Sequence, residues 1–308
     1  MSWFWLSLIA LLCWSGSDLF SKLGCQDRED KYSHLKMLMA VGLVMGLHAL
    51  YEIVIGGVEI NFRILLTYLP VSCLYILSMT LGYLGLRYIE LSISSPICNS
   101  SGALVALLCV FAGKLMDTSL TGASLAMALS AVLLICLGVV GLGIVEAYED
   151  DDLRERRQAK SNYKYAKSAL ALLLPIAYCI LDAAGTFADV LVLNKISEDS
   201  ANVAYELTFF AVGSLCFVYL LIKRERFTVR LEAPKYIGAV FETAGQLAYI
   251  YALSDESHAA FSAPMISSYC VASVLWSRLF LKEKLSWKHY AMILLVVAGI
   301  IVLGILDI

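Results

Sequence analysis

The chain has 308 residues, of which 60% are hydrophobic and 16% charged, with a formal net charge of −3. A soluble globule carries roughly a quarter charged residues, so this composition, with a mean hydropathy of +0.78, excludes an ordinary water-soluble domain. The small net charge also excludes a nucleic-acid partner, whose phosphates call for a strongly basic face.

A helix crosses the hydrocarbon core with about 20 apolar residues, and runs of that length recur from end to end. They predict an all-α membrane protein with ten spans near residues 3–23, 34–56, 64–86, 91–113, 121–144, 168–193, 201–222, 236–253, 258–281 and 288–306. The opening run has no basic n-region and no small-residue cleavage site, so it reads as the first span and not as a cleavable signal. Connections are short except for "EAYEDDDLRERRQAKSNYKYAK" (146–167), a charged linker at mid-chain. Its acids Asp150, Asp151 and Asp152 are followed at once by Arg154, Arg156 and Arg157, which reads as a solvated hinge in preference to a metal or diphosphate site. The nine cysteines include no CxxC and lie mostly inside apolar runs. They read as small lipid-compatible fillers, and neither a metal nor a cofactor is expected.

Five spans precede the linker and five follow it, dividing the chain into 1–145, 146–167 and 168–308. "YLGLRYIELSISSPI" (83–97) lies over "YALSDESHAAFSAPM" (251–265), pairing Tyr83 with Tyr251, Ser94 with Ser262 and Pro96 with Pro264. "GVVGLGI" (138–144) lies over "GIIVLGI" (299–305), at an offset of 161 against 168 for the first pair, so the first half holds seven extra residues between its fourth and fifth spans. Because five is odd, the second copy enters the membrane from the opposite side. Such inverted repeats are a carrier architecture with substrate near the midplane.

Lys and Arg near span ends set orientation. The connections 1–2, 5–6, 7–8 and 9–10 hold the basic residues, among them Lys36, Lys223, Arg224, Arg226, Arg230 and Lys235, while the other face has little more than Arg63, Lys114 and Lys195. Both termini are therefore expected outside, with the linker in the cytoplasm. Trp3 and Trp5 fit an interfacial belt at the outer edge.

In "LRYIELSISSPI" (86–97) and "YALSDESHAAFSAPM", a third or eighth span turns tightly into a proline-bearing fourth or ninth. The close "FLKEKLSWKHYAMILLVVAGIIVLG" (280–304) sets an acidic residue and leucine in a turn before a Gly-containing last span. With the 5+5 arrangement, these stretches resemble the drug/metabolite transporter (DMT) superfamily in its ten-helix EamA-type form. "GKLMDTSLTG" (113–122) departs from the pattern, lacking the acid at the matching turn position. The resemblance implies a multi-pass transporter of small organic solutes whose cavity is lined by spans 1, 3, 4, 6, 8 and 9.

Charge in the bilayer centre costs at least about 2.5 kcal/mol, so intramembrane polar residues face protein or water. Trp14, Asp18 and Lys22 share a face of the first span; Tyr178, Asp182, Gly185 and Asp189 share one of the sixth; Glu242, Gln246 and Tyr249 share one of the eighth. Asn99 follows Pro96, and Ser267, Ser268 and Tyr269 follow Pro264, where a proline frees a backbone carbonyl. Asp18 also has Lys22 one turn away as a partner. Asp189, near the outer end of its span, reads as solvated, as does Glu52 beside His48. Glu206 reads as a complement to a helix N-terminus, and Arg278 as a snorkelling anchor.

The expected substrate site is therefore Trp14, Asp18, Asn99, Tyr178, Asp182, Glu242, Gln246 and Tyr269, with Asp18, Asp182 and Glu242 as proton-coupling candidates. No deep Lys or Arg balances these acids, which favours a cationic amine, zwitterion or drug over a phosphorylated solute. A carboxyl in apolar surroundings holds its proton more tightly, so proton and substrate can compete for it. The reading is a secondary active transporter in the cell membrane that works by alternating access. Its partners are a small-molecule substrate and membrane lipid, with a homodimer open. The alternative class is an intramembrane lipid-modifying enzyme or a structural subunit, but HExxH, Walker and GxSxG motifs are all missing.

Overall fold

A computed structural model describes residues 2–27, 30–112, 122–147, 169–255, 257–283 and 285–306. The linker expected at 146–167 lies outside them beyond residue 147, as does nearly all of the turn at 113–122. The described residues are helical and contain no strand. In chain order the helices are α1 (Trp3–Cys25), α2 (Ser33–Tyr51), α3 (Phe62–Leu86), α4 (Leu91–Asn99), α5 (Ser101–Phe111), α6 (Gly122–Ala147), α7 (Ala169–Val192), α8 (Glu198–Ile222), α9 (Val229–Ser254), α10 (Ala259–Ser267), α11 (Tyr269–Trp276) and α12 (Trp287–Leu306). π-helical turns extend α2 through Glu52–Gly56 and α11 through Ser277–Leu281.

Among the described residues, nine helical stretches are long and apolar enough to cross a membrane. The remaining long helix, α9, has 26 residues but carries Arg230, Glu232 and Lys235 in its first turns and Glu242 further on. It also starts at Val229, well before the expected residue 236.

The fourth and ninth expected spans are each broken in two. Ser100 N–H is shared between the carbonyls of Pro96 (3.1 Å) and Ile97 (3.3 Å), and Ser268 N–H between those of Pro264 and Met265 (both 3.2 Å). Both breaks therefore fall four residues past a proline, where the last turn tightens to i→i+3 bonding. The half-helices before them, α4 and α10, have nine residues each.

The main packing pairs are α1 with α9, α2 with α8, α3 with α7 and α6 with α12, each joining a helix before the linker to one after it. Close approach depends on small residues: a Cβ on Gly42 of α2 would fall 2.7 Å from the Phe209 carbonyl oxygen and 3.0 Å from Gly213 Cα of α8. At the centre, α5 crosses α10 where a Cβ on Gly102 would meet the Ser267 side chain at 2.5 Å and Pro264 Cα at 3.1 Å. These crossings bring the two broken helices together beside α1 and α7.

Candidate functional site

A cavity opens between α1, α3, α4, α7, α9 and α10–α11, with about 890 Å³ of empty space including its open part. All eight side chains expected in the substrate site line it: Trp14, Asp18, Asn99, Tyr178, Asp182, Glu242, Gln246 and Tyr269. Helical spacing explains this for α1, α7 and α9, because residues four apart share a face. Asn99 and Tyr269 reach the cavity at the broken helices, on either side of the crossing.

Each carboxylate is held by serine from a neighbouring helix. Asp18 Oδ2 accepts from Ser95 Oγ of α4 (2.5 Å) and Ser273 Oγ of α11 (2.7 Å). Asp182 Oδ2 accepts from Ser101 Oγ at the start of α5 (2.7 Å), and Glu242 Oε2 from Ser17 Oγ of α1 (2.8 Å). An ionised carboxylate offers about four acceptor positions, so all three retain capacity for a ligand donor. Asn99 Nδ2 donates to the Ser95 carbonyl (2.9 Å) and reaches Ser95 Oγ (3.3 Å), which fixes the serine that holds Asp18. Trp14 packs against Tyr249 (ring centroids 5.0 Å apart) and Tyr269 (5.9 Å), and its indole N–H donates to the Glu242 carbonyl (3.4 Å).

The same cavity also presents unsatisfied groups. The Gln246 amide nitrogen and the Tyr83 hydroxyl are buried and find no hydrogen-bond partner among the described residues. A buried polar group without a partner costs about 1–3 kcal/mol, and both of these groups border the cavity.

Several expectations are corrected here. The expectation that no deep Lys or Arg accompanies the acids does not hold for Lys22: it is 2% exposed, and its ammonium donates to the carbonyls of Leu86 (2.8 Å) and Ile89 (2.7 Å), tying α1 to the turn between α3 and α4. Asp189 is fully buried, accepting from Tyr68 (2.8 Å) and Tyr75 (3.5 Å). The Tyr75 hydroxyl also lies within hydrogen-bond distance of the Thr186 hydroxyl (3.0 Å) and of Tyr249, both of which line the cavity. Glu206 does not serve a helix N-terminus; it is buried two turns into α8 and pairs with His48 (2.8 Å), whose other nitrogen lies 3.6 Å from Glu52.

Lys36 and Lys235, expected as solvated topology charges, are buried in a ring with Asp30 and Glu232. Lys36 lies 2.9 Å from Asp30 and 3.3 Å from Glu232, and Lys235 lies 3.1 Å from each acid. The ring joins α2 and the α1–α2 connection to α9. Tyr83 and Tyr251, aligned in the sequence, have different surroundings: Tyr83 lines the cavity, while Tyr251 is 36% exposed and donates to Asp199.

The cavity residues that sequence reasoning misses are chiefly hydroxyls: Ser17, Ser95, Tyr75 and Tyr83. Tyr249 also lines the cavity, on the helix face that its spacing from Glu242 and Gln246 predicts. The serines carry no signal in the sequence, because what they do is set by the helices that face them.

No curated protein matches this sequence. A solved crystal structure aligns with a TM-score of 0.63 at 14% identity, covering 99% of this chain and 97% of its own, which supports a shared fold. Residues 169–305 match the EamA-like transporter family, a family of transporters and not of enzymes. With nine apolar helices long enough to cross a membrane among its described residues, the chain reads as a multi-pass membrane protein whose residues 169–305 are similar to the EamA-like transporter family.

Proposed function

We propose that this protein is a secondary carrier that moves a small organic cation or zwitterion across the cell membrane by alternating access, with Glu242 as the acid that exchanges protons and Asp18 and Asp182 beside it in the cavity. The observation that carries the reading is the polarity of the cavity. Three serine-held carboxylates attract an ammonium, while the Gln246 amide and the Tyr83 hydroxyl lack partners and suit a carboxylate or carbonyl. Trp14, Tyr178 and Tyr269 offer ring faces for a cation, worth about 0.5–2 kcal/mol each when desolvated.

The proposed scaffold is a 5+5 inverted repeat. Its support is the matched breaks after Pro96 and Pro264 and the repeated aromatic–acid pair, Trp14–Asp18 on α1 and Tyr178–Asp182 on α7. Ligand binding stabilises the state that binds, by about 2.7 kcal/mol at a hundredfold excess over Kd. Amines and zwitterions are therefore expected to raise the thermal midpoint of the purified protein, and this rise should be lost in Asp182→Asn. A rise with phosphorylated or carboxylate-only solutes, and none with amines, would overturn the charge assignment.

Orientation follows from the one-sided basic residues, with both termini outside. In a cysteine-free background, an impermeant thiol reagent on intact cells should label a cysteine placed after Ile308 and spare one at Ser161. The reverse pattern would invert the topology.

A further inference from the structure

A groove with about 1300 Å³ of empty space, counted to its open side, runs down the flank where α2, α8 and α9 meet, away from the central cavity. Its floor is set by the close approach of Gly42 and Gly213, and its walls include Leu43, Phe210, Phe217 and Phe227, all at least 40% exposed. Both α2 and α8 are long and apolar enough to cross a membrane, and the apolar side chains they expose here suit contact with hydrocarbon. An acyl chain fits such a surface; a water-soluble ligand does not.

One end of the groove is strongly basic. Lys223, Arg224, Arg226 and Arg230 are exposed within eight residues, with Glu225 the one acid between them. Phe227 and Val229, in the same stretch, line the groove. Lys36 adds its ammonium 5.4 Å above the Phe227 ring and donates to the Arg226 carbonyl (2.9 Å), fixing the basic loop against α2. Asp30 and Glu232, the latter itself lining the groove, are matched by Lys36 and Lys235 in the buried ring, which leaves Glu225 as the acid within the exposed stretch of four cations.

We infer that this groove is a binding site for an anionic phospholipid, with an acyl chain along Leu43, Phe210 and Phe217 and the headgroup phosphate among Arg224, Arg226 and Arg230. Charge complementarity selects the anionic headgroup over a zwitterionic one, and the inference does not depend on what the central cavity carries. Near an anionic surface each cation contributes about a fivefold gain in affinity, so removing three weakens binding by about a hundredfold.

The test is native mass spectrometry of the full chain, released from bilayers of equal phosphatidylglycerol and phosphatidylcholine, with each variant first shown to keep its thermal midpoint in detergent. The wild type should retain phosphatidylglycerol selectively. Arg224→Gln/Arg226→Gln/Arg230→Gln should lose the selectivity by about two orders of magnitude. Ser214→Trp, or Leu43→Trp where the first does not fold, should lose it by filling the groove. Equal retention of the two lipids by the wild type, or undiminished selectivity in the triple variant, would overturn the proposal. Full selectivity in a groove-filled variant would overturn it too, by reducing the effect to headgroup charge alone.

Discussion

Glu232→Gln is expected to lower the protein's stability by about 3–5 kcal/mol, the cost of stranding a buried charge. Asp30, Lys36, Glu232 and Lys235 form a ring of two acids and two bases, with side chains at most 8% exposed. Removing one acid leaves two buried ammonium groups sharing Asp30. Lys235→Met should be comparably harmful, because it leaves two carboxylates sharing Lys36. The double variant Glu232→Gln/Lys235→Met retains the neutral Asp30–Lys36 pair at 2.9 Å and should be more stable than either single variant. The check is the thermal midpoint of all three variants in the same detergent. Losses that simply add would show that the four charges do not act as one unit.

How far the sequence leads depends on whether a residue's partner is local. The three cavity acids are legible because each sits amid apolar residues on a helix, where charge is too costly to leave facing lipid. A spacing of four residues is enough to put Trp14 beside Asp18 and Tyr178 beside Asp182. Pro96 and Pro264 mark where helices weaken, while the close crossing of α5 over α10 beside the breaks at Ser100 and Ser268 is a contact between distant segments that the sequence does not display. Asp189 and Glu206 mislead because nearness to a helix end suggests water. Tyr68 of α3 and His48 of α2 cover them instead, and those contacts lie 121 and 158 residues away in sequence. The ion ring is hidden for the same reason: Lys235 pairs with an acid 205 residues distant, and a basic residue near a span end otherwise reads as a topology anchor. The proposed inverted repeat rests in the sequence on an aligned proline and a repeated aromatic–acid pair, while the aligned Tyr83 and Tyr251 face different surroundings.

The second large effect is at Glu242. Glutamine keeps the shape of this side chain and can still accept from Ser17 Oγ, now 2.8 Å from Oε2, but it cannot release a proton. Glu242→Gln should therefore fold with a thermal midpoint close to the wild type's. For one-for-one exchange of solute against proton, each unit of pH difference sustains about a tenfold concentration ratio, since both represent about 1.4 kcal/mol. The variant should lose that accumulation, settling at equal concentrations inside and out, while solute-for-solute exchange persists because the cavity is intact. A structural role for the carboxylate would instead show as lost expression or a fall in midpoint.

Solute flux in sealed liposomes containing only the purified protein tests the carrier assignment most directly. Vesicles preloaded with an unlabelled amine or zwitterion are diluted into a trace of the labelled compound. Uptake should saturate and be accelerated by the internal solute, and proton-driven accumulation should appear in the wild type and be abolished in Glu242→Gln. Uptake that rises linearly without saturation, that ignores internal solute, or that is absent across amines, amino acids and cationic drugs would contradict a carrier working by alternating access.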